Sequence, residues 1–187
     1  MLMNRNLKKL VTMGVLTAIS IILIMIIRFP LIPAAPFMEY EPSDIPIIMG
    51  GLIFGPVSGI ILAVVTSFVQ FATVSSGSGL IGLLMHVIAA VVLVGVSAGI
   101  YKIKKTTVGL IVGLVLGTIA MTAVMIPANL IFYPLFTGMP VSAVKDLVVP
   151  VLLPFNLIKA GLNSIVTFAI FKAIGKLLTR IANNPSC

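Results

Sequence analysis

Long apolar runs with basic residues at their ends constrain this chain more than any other feature of its sequence. The run from Leu10 to Ile27 is about 18 residues long, close to what a helix needs to cross a hydrocarbon core. Comparable runs fill most of the remaining chain. Of its 187 residues, 60% are hydrophobic and only 9% charged, and the mean hydropathy is +1.28. Soluble domains carry about a quarter charged residues. The chain therefore reads as an all-α integral membrane protein, one membrane-embedded domain over residues 1–187.

The net charge of +8 does not point to nucleic acid. Its basic residues fall in three flanking clusters: Arg5, Lys8, Lys9; Lys102, Lys104, Lys105; and Lys172, Lys176, Arg180. None is dense enough, or interleaved with enough aromatics, to track a phosphate backbone. Short basic loops resist translocation, so all three clusters are expected on the cytoplasmic side. That fixes a parity of six crossings with both termini cytoplasmic: helices over about 10–27, 45–53, 57–73, 80–101, 107–132 and 153–178. The first is read as a retained span, because no small-residue cleavage site follows it. The second is too short to span unaided, so it is expected to be tilted, partly buried or extended by the preceding loop. Turns are marked by "FGPVSG" (Phe54 to Gly59) and "SSGSG" (Ser75 to Gly79).

Catalysis finds little support. The lone histidine, His86, lies mid-helix, and the lone cysteine, Cys187, is the last residue. That excludes a Cys/His dyad, a thiolate metal site and a disulfide framework. The glycines form no phosphate-binding motif and read as small helix-contact residues. His86 reads as a core histidine bonded to a nearby carbonyl, and the methionines as core filler.

Polar residues inside apolar helices carry more information, because each is costly there. In "PFNLIKAGLNS", Asn156, Lys159 and Asn163 stand at i, i+3 and i+7, within about 60° on one face. Snorkelling to head groups would explain Lys159 alone, but not the two asparagines beside it. In the preceding helix Pro127 loosens the backbone near Asn129. On the same outer side, the loop 28–44 holds three of the four acidic residues in the chain, Glu39, Glu41 and Asp44. Ser43 or Asp44 is expected to cap the next helix. Tyr40 and the remaining acids are expected to cover or contact a ligand. A pocket fringed by Tyr40, Phe37 and Phe132 and tipped with amides and one cation suits a flat, polar-edged heteroaromatic molecule.

Together, the "EPSDIP" loop, the "GLIFGPVSG" turn and the "PFNLIKAGLNS" helix resemble the substrate-capture (S) subunits of energy-coupling factor (ECF) vitamin transporters, above all the riboflavin-specific members. The resemblance spans essentially the whole chain. It implies a high-affinity riboflavin-binding subunit of an ABC-type importer in a prokaryotic plasma membrane, with riboflavin as bound substrate, no cofactor and no catalysis of its own. It also implies partners: a membrane scaffold (T) subunit and two ATPases. By the same resemblance Asn129, Asn156 and Lys159 match flavin-ring contacts, and the loop around Tyr40 and Glu41 matches a lid, with Asn163 on the same polar face. The usual Ala-x-x-x-Ala scaffold contact of helix one reads Gly14 and Ala18 here, which keeps the small-residue spacing. Biotin or thiamine as the vitamin, or a self-sufficient secondary transporter, remain alternatives. An intramembrane enzyme lacks a nucleophile and base.

Overall fold

The structure, a computed structural model, describes residues 5–33, 38–74 and 79–183. Phe37, Ser75 to Ser78 of the "SSGSG" linker and Cys187 lie outside the described residues. The elements run α1 (Arg5–Ile26), β1 (Phe29–Pro30), β2 (Glu39–Tyr40), α2 (Asp44–Phe54), α3 (Pro56–Thr73), α4 (Gly79–Ile103), α5 (Thr107–Thr137), α6 (Val141–Asp146) and α7 (Leu153–Asn183). A π-helical turn, Val148–Leu152, leads into α7. Five helical stretches are long and apolar enough to cross a membrane, and α2 is a shorter apolar helix.

The length of α2 has a structural answer. Every residue from Asp44 to Ile53 is buried, and the helix is packed among α1, α3, α4 and α7. An enclosed helix has no lipid-facing stripe, so it shows no polar side to read in sequence. Its turn into α3 depends on Gly55, at φ 93°, a backbone region costly for residues with a Cβ. The two helices meet closely: a Cβ on Gly59 would lie 2.7 Å from the Gly51 Cα. The α4–α5 contact follows the same logic, since a Cβ on Gly113 would come within 2.6 Å of the Ser97 carbonyl oxygen. Small residues thus bring backbones together where lipid supplies no hydrophobic drive for association.

Several boundaries differ from the expected ones. The fifth helix continues past Phe132 through Pro134 to Thr137, where Gly138 at φ 74° closes it. The supposed open connection after it folds into α6 and the π turn. Pro150 has no N–H to donate, and the ladder shifts there: Leu152 N bonds the Leu147 carbonyl at 2.9 Å, a five-residue step. α7 then runs to Asn183 rather than ending near Leu178. Ser43 occupies the position before α2 but makes no capping side-chain bond.

The core runs along the bundle, with Ile48, Met49 and Leu52 of α2 meeting Leu93, Leu114, Met121 and Phe171. A second cluster, Met38, Tyr133, Val144, Val151, Leu152 and Phe155, joins the inter-strand segment to α6, the π turn and α7. Large apolar residues exposed along the long helices, such as Met25, Ile61 and Val115, face outward where a bilayer would meet them.

Candidate functional site

The segment between α1 and α2 is an ordered clasp. Phe29 pairs with Tyr40 and Pro30 with Glu39 in a two-stranded antiparallel ladder. Arg28 Nε bonds Glu39 Oε2 across its open end. From Tyr40 to Asp44 the chain dives inward, and all five residues are buried. Two helices hold it there. From α7, Asn163 Nδ2 donates to the Glu41 carbonyl at 3.2 Å and to Asp44 Oδ2 at 3.1 Å, while its Oδ1 accepts from Tyr40 OH at 2.9 Å. From α1, Ser20 Oγ donates to the Ser43 carbonyl at 2.9 Å. Burial, with the Asp44 charge nearby, pushes the Tyr40 phenol above its ordinary value, which keeps it a donor.

Beside this clasp lies a cavity with about 200 Å³ of water-accessible space. Asn129 of α5 and Asn156 and Lys159 of α7 line it, together with Glu41. Each asparagine donates its Nδ2 to the carbonyl four residues back, Asn129 to Met125 and Asn156 to Leu152, both at 2.7 Å. Neither bond uses the amide Oδ1. Lys159 does not snorkel: its side chain is 12% exposed and its Nζ lies 3.1 Å from Glu41 Oε1.

Glu41 is the hub. Besides Lys159 it receives Gln70 Nε2 at 3.3 and 3.2 Å, and His86 Nε2 stands 3.2 Å from its Oε1. His86 Nδ1 in turn lies 2.7 Å from Ser67 Oγ. Burial alone would raise the Glu41 carboxyl, but Lys159 and His86 outweigh it and hold the group well below the usual carboxylate range. Glu41 is thus an internal counter-charge to Lys159, whereas Glu39 pairs with Arg28 at the surface.

Tyr40 and Asn163 bond each other and do not line the cavity; they position Glu41. The aromatic walls are Phe71, Tyr133, Phe136 and Phe155, whereas Phe132 packs into the helical core. His86, expected to be bonded to a carbonyl in the core, is a cavity residue. Four methionines, Met38, Met85, Met121 and Met125, also line the cavity rather than only filling the core. Ser67 and Gln70 were open to detection: they stand three apart on α3, the same polar-stripe signal that marks α7. Gly14 and Ala18 are both exposed on α1, and a Cβ on Gly14 would meet nothing within 4 Å.

Comparison with known proteins gives a consistent result. The family model described as the ECF transporter, substrate-specific component, matches residues 8–171. The chain is 33% identical over 172 residues to the riboflavin transporter FmnP of Bacillus subtilis (strain 168), covering 88% of this chain and 90% of that protein. It is 32% identical over 186 residues to the riboflavin transporter RibU of Staphylococcus aureus (strain TCH60), covering 96% of each. Its fold matches, with a TM-score of 0.78 and 32% identity, a chain solved in work on the structure and mechanism of the S component of a bacterial ECF transporter, covering 91% of this chain and 97% of that one. This chain belongs to the substrate-specific components of ECF transporters.

Proposed function

We propose that the chain is the riboflavin-binding S subunit of an ECF-type importer. The observation that carries this reading is the Lys159–Glu41 pair in a cavity that Asn129 and Asn156 also line. A lysine awaiting a carboxylate would favour biotin, and an unpaired carboxylate would favour the thiamine cation. Here each charge already compensates the other, so the cavity favours an uncharged ligand with polar edges. The isoalloxazine ring has such an edge, an imide N–H between two carbonyls. Asn129 and Asn156 offer Oδ1 acceptors for the N–H, and the Lys159 ammonium has donors beyond the one aimed at Glu41 for the carbonyls. Aromatic rings and pliable methionines supply flat apolar walls.

In this reading the vitamin enters from outside the cell and both termini are cytoplasmic, in line with the basic flanks. Energy comes from two ATPases through a scaffold subunit, which docks on the exposed Gly14 and Ala18 face of α1. The deciding experiment is spectroscopic. The purified protein is expected to carry a flavin absorption band and, once stripped, to be quenched by riboflavin but not occupied by biotin or thiamine at equal concentration. Binding of either of those in place of riboflavin would overturn the assignment.

A further inference from the structure

A second cavity lies at the far end of α2 from the clasp, with about 240 Å³ of water-accessible space. Its walls are the last turn of α2, the Gly55 turn into α3 and the end of α4, and Lys102 and Lys105 are among them. A Cβ on Gly55 would meet nothing within 4 Å, so open space reaches the backbone of the turn. Lys9 of α1 adds a third cation, its Nζ 6.0 Å from the centre of the ring of Phe54, another wall residue. None of these lysines pairs with a carboxylate among the described residues. The four acidic residues of the chain, Glu39, Glu41, Asp44 and Asp146, all belong to the opposite end, in the clasp, at the start of α2 and in α6.

Lysines grouped around a space without a counter-charge attract an anion, and the border of the cavity indicates which kind. Val57, itself a wall residue, is 68% exposed, and Ile103, between the two wall lysines in sequence, is 88% exposed. Ile61, one turn further along α3, is exposed as well. A soluble anion gains nothing from such a border, whereas acyl chains would cover it. We propose that this cavity is a headgroup site for an anionic phospholipid, with Lys102 and Lys105 holding the phosphate and the acyl chains lying along Val57 and Ile61. Basic pockets between helix ends suit such headgroups. Selection follows from charge: a zwitterionic lipid brings an ammonium group of its own, which the lysines repel. The site is separate from the vitamin cavity, and the proposal stands whichever vitamin the chain carries.

Native mass spectrometry of the purified, delipidated chain in detergent tests this. The chain is expected to retain one dioleoylphosphatidylglycerol at concentrations where dioleoylphosphatidylcholine is not retained, and an excess of inorganic phosphate is expected to leave that lipid bound. Equal retention of the two lipids overturns the headgroup site, and displacement by phosphate overturns it in favour of a soluble anion. The double variant Lys102→Gln/Lys105→Gln is expected to weaken phosphatidylglycerol binding about 25-fold, at about fivefold for each lysine. Lys104→Gln/Lys172→Gln removes two exposed lysines of the same end that do not line the cavity and is expected to change binding far less. An equal loss in both double variants means a diffuse field rather than a site, and overturns the proposal. Val57→Glu keeps the lysines and gives them a carboxylate in the first turn of α3, where the helix dipole favours one. It too is expected to lose the lipid, and it decides the matter should the lysine variant fail to fold. Undiminished retention in Val57→Glu refutes the site.

Discussion

Removing the Lys159 ammonium would strand a buried carboxylate and take a donor from the cavity at once. Lys159→Met is therefore expected to lower riboflavin affinity by about 1.5–3 kcal/mol. It should also destabilise the fold by up to about 3 kcal/mol, the lower end for a broken buried pair, because Gln70 and His86 still serve Glu41. Adding Glu41→Gln should recover much of the lost stability but not the affinity, a coupling that thermal unfolding and riboflavin titration of the double variant would read. The pH dependence has a definite sign. A carboxyl held below its ordinary value of 4.5 stabilises the fold above that pH and loses its contribution as pH falls toward the native pKa. Melting temperature should fall with acidification below about 4.5, and less steeply in Glu41→Gln. Asn129, Asn156 and Lys159 were legible in sequence because a polar group in an apolar helix demands a reason. The Lys159–Glu41 partnership was not, since the two are 118 positions apart and a loop carries no periodicity to show which way Glu41 turns.

Helices differ in how much a added side chain would disturb them, and glycine positions expose the difference. Gly113→Leu would drive carbon into the Ser97 carbonyl and is expected to cost about 1–3 kcal/mol or prevent folding. Gly14→Leu meets open space and should leave the stability, followed by thermal unfolding, within about 0.5 kcal/mol of wild type. Ala18→Trp extends the contrast to assembly: riboflavin binding is expected to survive while co-purification with a scaffold subunit is lost. Loss of binding along with assembly would place this face inside the bundle instead. Hydropathy made the five long helices legible, since length and apolar content are what a bilayer selects. α2 was visible only as an anomaly of length. α6 and the π turn left no trace, because a six-residue helix and a shift of hydrogen-bond step at Pro150 have no pattern of their own.

Among the described residues, the ionisable side chains Glu41, Asp44, His86 and Lys159 gather around one cavity. A gradient-driven carrier needs titratable groups that exchange ions with both sides in turn. Reconstituted alone in vesicles, the chain is expected to bind riboflavin without concentrating it; uptake driven by a proton or sodium gradient with no added subunit would contradict that. Charge placement supplies the expected topology through a parity argument, whereas the cavity depends on where separate helices converge. The enclosure of α2 carries a last consequence, for the order in which the molecule opens. Its amides sit behind four other helices and those of α1 behind few, so α1 can part from the bundle while α2 stays shielded. Hydrogen–deuterium exchange should therefore label α1 early and α2 only when the bundle opens as a unit. A ligand bridging the clasp, α5 and α7 should slow the late phase far more than the early one.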